Sequence, residues 1–404
     1  MTLGLTEAEI AQRAGTTEER VRELVELGIV GQGPPDEPFR SGDVMRVQLV
    51  GELEAFDIPP TRVAAALSEG ALTLSYLDKF PDPPLRSGRT HADVCDELDI
   101  PFDLLARIYA GFGLPRPQPD ARVREDDLEI ITGLPILFSA GLDEAEVLRA
   151  ARVWGEGPRR VAQHQVYSFH DLIEEPFRRQ GLTDDQALDA ALSQFGVRLI
   201  PYCQQLVGWL YRRHFENYAT EHRVGHVETA LETAGLRRKP GAHPEACAFA
   251  DLSGYTRLTD EMGDVAAERI ALRLAELMQD VATRHRGQVV KMLGDGVHFH
   301  FPDAACAVLG SLELVEKAEP QGLPPAHVGV NAGPMTYIDG DYYGLTVILA
   351  ARIASEAGPG QVLVGEAATA NATPEGVRFQ QLGPVPLKGL ARPVTVYRAV
   401  NETA

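Results

Sequence analysis

Cysteine is scarce in this sequence of 404 residues, and no two cysteines form a Cys-x-x-Cys pair. The four are widely spaced: Cys95, Cys203, Cys247 and Cys306. This spacing excludes a zinc knuckle and a disulfide framework, and it favours reduced, buried thiols. Apolar runs of about 18 residues, as a membrane-spanning helix needs, are also missing, and the residues after Met1 lack the basic and apolar regions typical of a leader peptide. The sequence therefore predicts a soluble, cytosolic protein without a transmembrane segment.

Basic charge is in deficit as well. The 38 lysines and arginines are outnumbered by 58 acidic residues, so the formal net charge is -20. A surface of this sign repels phosphate backbones, and we expect no nucleic-acid partner. The apolar fraction of 44% is ordinary for a globular protein, and the length indicates two or three domains.

An internal repeat organises the first part of the chain. Residues 1 to 75 and 85 to 158 superpose without a gap when 84 is added to each residue number. Apolar positions recur at this offset, as in Ile10 and Val94, Val21 and Leu105, and Val63 and Val147. The proline-rich segment at positions 80–84 cannot continue a helix and is predicted to be a linker. We therefore predict two copies of one helical module.

Each copy has the pattern of a helix, a short turn and a second helix. In the first copy Gly15 lies at the turn, and Thr16 or Thr17 is a candidate N-cap. The pattern resembles a helix-turn-helix of the MerR kind, which would imply DNA binding. The second helix is acidic, however, with four glutamates against Arg20 and Arg22. A helix that enters a DNA groove needs net positive charge, so a helical packing module is the favoured interpretation.

Residues 159 to 235 continue with long helical periodicity and are predicted to form a helical bundle and connector. The two prolines and one glycine between positions 237 and 244 would end it. Five histidines concentrate here: His164, His170, His214, His222 and His226. They are either exposed or capping residues or a protonation sensor, because histidine changes charge near neutral pH.

The last domain, residues 244 to 400, alternates strand and helix signals. Its order β-α-β-β-α-β is ferredoxin-like, so the fold class is α/β (α+β) after an all-helical N-terminal region. The first strand ends at Asp251, and Asp295 lies in the tip of the Gly-Asp-Gly hairpin. In such a fold the two carboxylates converge.

Three motifs occur in this domain: Phe-x-Asp-Leu-x-Gly-Tyr-Thr from Phe249, Lys-x-x-Gly-Asp from Lys291, and Asp341 followed by Arg352. Each residue alone has an ordinary explanation as a turn or surface residue. Together, over about 155 residues, they resemble the catalytic domain of class III adenylyl and guanylyl cyclases.

The resemblance implies a role for each residue. Asp251 and Asp295 would bind two Mg²⁺ or Mn²⁺ ions. Lys291 and Asp341 would read the base and select ATP, since guanylyl cyclases usually carry glutamate at the lysine position. Arg352 would stabilise charge on the transferred phosphate. Two further lysine and histidine features stay open: Lys388 is either a triphosphate ligand or a loop lysine, and His298 and His300 are either a metal site or ordinary strand residues.

One position departs from the family pattern. Four residues before Arg352 the family has an asparagine that positions the ribose, and here the residue is Ile348. Losing one oriented donor typically costs on the order of 10² to 10³ in rate. We expect low turnover unless a neighbour such as Thr346 supplies the donor.

In the family the site lies between two catalytic domains, so a homodimer is implied. The sequence predicts an adenylate cyclase that makes 3′,5′-cyclic AMP and pyrophosphate from ATP. Its layout resembles mycobacterial cyclases whose helical N-terminal domain inhibits the catalytic dimer and responds to pH and lipids. The alternative is a weakened homologue that acts as a nucleotide-binding or DNA-binding regulator.

Overall fold

The computed structural model describes residues 5–33, 38–40, 42–80, 83–236, 244–262, 264–372 and 374–402. The chain divides into two compact units, Met1–Val224 and Gly225–Ala404. The predicted domain boundary at positions 237–243 and part of the predicted linker, positions 81–82, lie outside the described residues.

The first unit begins with four helices: α1 (Glu7–Ala14), α2 (Glu18–Glu26), α3 (Gly42–Ala55) and α4 (Pro60–Ser68), followed by a 3₁₀ turn at Ser75–Lys79. Thr6 caps α1 reciprocally, because its hydroxyl accepts from the Glu9 amide and the Glu9 carboxylate accepts from the Thr6 amide. Gly15 ends α1 in the left-handed conformation, at φ 75°. The Thr17 hydroxyl accepts from the Arg20 amide, so Thr17 rather than Thr16 is the N-cap of α2.

The same arrangement returns in strand β1 (Arg86–Thr90), α5 (His91–Leu98), α6 (Phe102–Gly111), strand β2 (Arg122–Arg124), α7 (Glu125–Gly133), α8 (Pro135–Ser139) and α9 (Glu144–Phe169). The starts of α5, α6 and α9 follow those of α1, α2 and α4 by 84 residues. Each module has its own core, and equivalent side chains fill it: Ile10, Val21 and Leu24 in one, Val94, Leu105 and Ile108 in the other.

The region is helical as predicted, apart from the antiparallel ribbon of β1 and β2. The strand sequences Arg-Ser-Gly-Arg-Thr and Arg-Val-Arg lack the apolar alternation that would have indicated strands.

The arginines of the helix-turn-helix elements are engaged in ion pairs. Arg20 pairs with Glu23 and Glu54, and Arg22 pairs with Glu7 and Glu18. In the second module Arg107 pairs with Asp103 and Glu144. These guanidinium groups have carboxylate partners within the module itself.

The rest of the first unit is helical: a π-helical turn at His170–Glu174, α10 (Glu175–Arg179), α11 (Asp184–Ala191), a second π-helical turn at Leu192–Gly196, and the first part of α12 (Val197–Thr233), which continues past Val224. Glu174 is buried, and its carboxylate accepts from Arg178 and lies 3.0 Å from Nδ1 of His170. Across the described part of the chain, no helix combines the length and the apolar character needed to cross a membrane.

The second unit contains a seven-stranded sheet. Its elements are β3 (Ala246–Leu252), α13 (Tyr255–Met262), α14 (Asp264–Arg284), β4 (Gln288–Leu293), β5 (Gly296–Phe301), α15 (Ala304–Ala318), β6 (Ala326–Ala332), β7 (Thr336–Ile338), β8 (Asp341–Tyr343), α16 (Leu345–Glu356), β9 (Val362–Gly365), α17 (Glu366–Asn371), β10 (Val377–Val385) and β11 (Val394–Asn401). The strand order is β10-β11-β9-β6-β3-β5-β4, and β7 and β8 form a separate hairpin. The antiparallel segment β6-β3-β5-β4 has the ferredoxin-like order, which confirms the predicted fold.

The two faces of this sheet are covered differently. Alternate residues of β3, such as Ala248 and Ala250, belong to the core that α14 and α15 cover. Phe249 and Asp251 point to the opposite face, where α16 packs. Gly329 of β6 is directly opposite Phe249. A Cβ at Gly329 would overlap the backbone of Ala354, so this glycine permits the close approach of α16.

Candidate active site

Two aspartates meet at one end of the sheet. Asp251 in β3 pairs directly with Gly296 in β5, and Asp295 is the preceding residue, in the turn between β4 and β5. Gly294 allows this tight turn through its φ of 75°. A Cβ at Gly296 would lie 3.1 Å from Oδ1 of Asp251, so the glycine leaves space for the carboxylate. The structure thus brings together the two residues predicted to bind metal.

The electrostatics of this pair suit a divalent cation. Burial and the negative charge of Asp295 raise the pKa of Asp251, against the opposing effect of His327. Nε2 of His327 lies 3.9 Å from Oδ2 of Asp251, and its Nδ1 lies 3.1 Å from Oγ of Ser253. Two carboxylates that repel each other at a strand end fit Mg²⁺ or Mn²⁺, which prefer oxygen ligands.

The protein supplies only part of such a coordination shell. Within the described residues no group of three or more histidine, cysteine, aspartate or glutamate side chains is placed to hold a metal ion. Mg²⁺ usually keeps waters and takes one or two carboxylates together with substrate phosphates. Asp251 and Asp295 match that kind of site.

Lys291 lies on the same face of the sheet as Phe249 and Asp251 because β4 contains a bulge. Val289 pairs with Phe299, but Lys291 pairs with His298, so Val290 is an extra residue. In an unbroken register Lys291 would lie opposite Val297, which belongs to the core under α14 and α15. The one-residue shift transfers the lysine to the other face.

The ammonium of Lys291 donates to Oδ2 of Asp341, the first residue of β8. Oδ1 of Asp341 accepts from the Tyr342 amide at 2.9 Å. Burial alone would raise the pKa of Asp341, but the bonds from Lys291 and the Tyr342 amide outweigh it, so the pKa lies below the ordinary value. The two residues predicted to read the base therefore form an ion pair within one chain.

His298 and His300 line the same face beneath this pair. His298 is fully buried and stacks on Phe249, with ring centroids 4.4 Å apart and planes at 8°. His300 stacks on Tyr342 at 4.2 Å. Burial lowers the pKa of His298 to about 4. Val297, Phe299 and Phe301 alternate with the two histidines along β5 and are buried on the other face of the sheet.

Arg352 and Ile348 share the exposed face of α16, one turn apart. Ile348 is 51% exposed, and Leu345 on the same face is 60% exposed. Arg352 has no ion pair among the residues that the structure describes. Lys388 is exposed in the connection between β10 and β11, next to Leu387, which is buried beside Ile353. No described contact joins Arg352 or Lys388 to either pair of charged residues.

Thr346 cannot replace the asparagine that the family carries where this chain has Ile348. Its side chain is buried, and its hydroxyl donates to the Pro334 carbonyl at 2.8 Å. The Thr346 carbonyl in turn accepts from Asn331. Thr346 therefore does not supply the missing donor, because its hydroxyl points into the fold and is already used.

Two features of the site were not predicted from the sequence: His327 beside Asp251, and His298 beside Asp341. Both are consequences of cross-strand pairing: His327 lies opposite Asp251, and His298 lies opposite Lys291. Fixing the register of the ferredoxin-like sheet from the predicted strands would have found the first. The pairing of His298 with Lys291 depends on the bulge at Val290.

Comparison with known proteins identifies the family. An adenylate cyclase of Streptomyces coelicolor is 30% identical over 270 residues, which cover 66% of this chain and 67% of that protein. The chain belongs to the class III adenylate cyclases. The pH-sensitive adenylate cyclase MT1302 of Mycobacterium tuberculosis is 29% identical to this cyclase over 313 residues, 76% of each protein.

Residues 87–215 of the cyclase match the adenylate cyclase regulatory domain family. This range takes in the second module and much of the helical segment that follows it. Among solved structures, the adenylyl cyclase CyaB from P. aeruginosa is 23% identical, with a TM-score of 0.36, and the match covers 39% of this chain and 93% of that one.

Proposed function

We propose that this cyclase converts ATP to 3′,5′-cyclic AMP and pyrophosphate at sites shared by two copies of the chain. The observation that carries the proposal is the pairing of charges on one sheet face. Asp251 and Asp295 meet at the end of β3, and Lys291 and Asp341 form an ion pair between β4 and β8.

Asp251 and Asp295 would hold two Mg²⁺ or Mn²⁺ ions. Such ions activate the ribose 3′ hydroxyl and neutralise the triphosphate. Asp251 and Asp295 fix where the phosphates sit, and the backbone pairing of β3 with β5 sets their separation. His327 lies behind Asp251 and limits the directions that this carboxylate can take.

Lys291 and Asp341 would read the base. An ammonium donates to adenine N1, and a carboxylate accepts from the exocyclic amine, whereas guanine presents a donor and an acceptor in the opposite order. In the free protein these two side chains satisfy each other. The adenine edge replaces that ion pair with two directed contacts, so ATP is the favoured substrate over GTP.

Arg352 would stabilise the charge that develops on the transferred phosphate. The exposed side chain of Ile348, one turn earlier, offers no hydrogen bond to the ribose. Since Thr346 is engaged with Pro334, no replacement donor comes from that residue. Low turnover follows.

Two chains would build each site, with the aspartates from one and Lys291, Asp341 and Arg352 from the other. Exposed apolar side chains around the site support this arrangement: Met292, Leu293, Tyr343, Leu345 and Ile348. A twofold dimer would cover them and form two equivalent sites. Lys388 would approach the triphosphate from its exposed loop.

The N-terminal region, residues 1 to 235, would regulate the catalytic dimer. The match of residues 87–215 to a regulatory domain family supports this role. A pH signal or a small-molecule or lipid effector fits a helical domain with several histidines. Since the arginines of α2 already pair with glutamates, we do not expect DNA to be the effector.

The test is cyclic AMP formation by the purified full chain with ATP and Mn²⁺ or Mg²⁺. Asp251→Ala and Asp295→Ala each remove a metal ligand, and we expect each to lower the rate by at least about 10². Glu366→Gln, which removes an exposed carboxylate from α17, is the control and keeps the wild-type rate. A wild-type rate equal to that of Asp251→Ala would contradict the proposed cyclase activity.

A further inference from the structure

Beneath the base-reading ion pair lies a histidine whose hydrogen-bonding capacity is unused. His298 has no exposed surface, and neither of its ring nitrogens has a hydrogen-bond partner among the residues that the structure describes. Leaving a buried polar group unpaired destabilises the folded protein. Such a group in a folded protein calls for an explanation, and a partner that becomes available in another state of the site is one.

The orientation of the ring points to that partner. Nδ1 of His298 lies 3.6 Å from Oδ1 of Asp341, somewhat beyond the usual N–H···O distance of about 2.9–3.0 Å. The face of the ring is held by Phe249 at 4.4 Å, and Tyr342 meets it edge-on at 6.5 Å. The imidazole therefore cannot swing away from Asp341.

The Asp341 carboxylate is held in place by other bonds while the site is empty. Oδ2 accepts from Lys291, and Oδ1 accepts from the Tyr342 amide. A purine base that takes the Lys291 ammonium leaves Asp341 without its strongest donor. The nearest side-chain nitrogen beneath the carboxylate is then Nδ1 of His298.

We propose that His298 is a positioning residue for base selection: its Nδ1–H donates to Oδ1 of Asp341 when Lys291 engages the base. This inference rests on the proposed function, because it assigns the support of the base-reading pair. The bond orients Oδ2 toward the exocyclic amine of adenine. It also keeps the carboxylate an acceptor, which disfavours the O6 carbonyl of guanine.

The charge state of His298 suits this role. Burial is the main cause that lowers its pKa to about 4, so the ring is neutral at neutral pH and carries a single N–H. A neutral imidazole can donate a hydrogen bond to Asp341 while Lys291 remains the cation of the pair.

Three substitutions separate this role from simple packing. His298→Phe keeps the stack on Phe249 and removes both nitrogens. His298→Asn places an amide nitrogen close to the position of Nδ1 and restores a donor. His300→Phe is the matched control, since His300 lies two residues along the same face and stacks on Tyr342 without facing Asp341.

The measurement is the ratio of the dissociation constants of fluorescent ATP and GTP analogues for the full chain in Ca²⁺, with kcat and KM for ATP in Mn²⁺. For His298→Phe we expect the preference for ATP to fall at least about tenfold, mainly through KM, because a directed contact to the base is lost. His298→Asn should recover most of the preference, and His300→Phe should retain it.

Equal ATP to GTP ratios in wild type and His298→Phe would overturn the inference, as would an equal loss in His300→Phe or no recovery in His298→Asn. If His298→Phe does not fold, His298→Leu makes the same comparison with His298→Asn. Because affinities are measured without turnover, a wild type that binds ATP selectively but makes no cyclic AMP would reject the proposed function alone. A wild type without preference for ATP would reject the inference.

Discussion

At the scale of single residues, α16 presents an apolar side chain where the chemistry needs a polar one. Ile348 is exposed and lies on the face of α16 that also carries Arg352. The isoleucine thus supports neither the core of the unit nor the helix itself. Within one chain the position accepts a polar residue without a cost in packing.

We expect Ile348→Asn to raise kcat by about 10- to 100-fold, because the amide restores an oriented donor near the ribose. Leu345→Asn, on the same exposed face one turn earlier, is the control for a general effect of polarity. The measurement is the rate of cyclic AMP formation at saturating ATP. A similar increase in Leu345→Asn, or none in Ile348→Asn, would show that the donor is not the limit.

His298 also links stability to pH. Its pKa falls from 6.5 to about 4 on folding, chiefly through burial, with Asp341 opposing and Lys291 and His300 adding to the shift. Below pH 6.5 the unfolded state therefore binds a proton that the folded state rejects, and stability is lost as the pH falls toward 4.

At pH 5.5 this linkage should cost about 1 kcal/mol relative to pH 7.5. The measurement is urea unfolding at both pH values, followed by circular dichroism. His298→Phe has no such proton and should lose about 1 kcal/mol less on acidification. The same pH dependence in wild type and variant would contradict the assignment.

At the scale of elements, α16 owes its position to one glycine in β6. Gly329→Ala would push a methyl group into the backbone of Ala354. We expect a loss of roughly 1–3 kcal/mol in the free energy of unfolding and a lower kcat, since α16 carries Arg352.

The control for that substitution is Gly358→Ala. A Cβ there meets only the Gln361 side chain, at the ordinary distance of 3.5 Å. Urea unfolding should show a change within about 0.5 kcal/mol for the control. If both variants lose the same stability, the role proposed for Gly329 in the close approach of α16 is contradicted.

The sequence sufficed to predict the ferredoxin-like order of the last domain but not every detail of how its strands pair. Apolar residues mark the strands β3, β4 and β6, and the convergence of Asp251 and Asp295 follows from that order. The bulge at Val290 could not be predicted, because nothing in the apolar strand sequence around this valine marks it as an extra residue. The ion pair of Lys291 with Asp341 depends on that bulge, and so does the pairing of Lys291 with His298.

The polar ribbon of β1 and β2 escaped prediction for a related reason. Its strands are held by backbone pairing, by the bond from Arg86 to the Arg122 carbonyl and by the buried side chain of Val123, without an alternating apolar face. Hydrophobic periodicity does not reveal such a strand, because its residues show no sustained alternation between apolar and polar.

At the scale of the whole molecule, the proposed site requires two chains. We expect a mixture of Asp251→Ala and Arg352→Ala chains, allowed to exchange subunits, to regain up to about a quarter of the wild-type rate. Half of the dimers would be mixed, and each mixed dimer would hold one intact site.

The measurement is cyclic AMP formation before and after exchange, with each variant alone as the control. Both variants alone should remain near background. If the mixture also remains there while chain exchange is demonstrated by a labelled subunit, the site is built within one chain.

The hairpin of β4 and β5 carries Lys291 on one strand and Asp295 at its tip, only four residues apart. In the proposed dimer these two side chains belong to different sites, since Lys291 reads the base in one and Asp295 serves the phosphates in the other. Nucleotide that binds Lys291 at one site would therefore also shift Asp295, on the same hairpin, in the second site. Saturation by ATP should then depart from a hyperbola, with a Hill coefficient different from one.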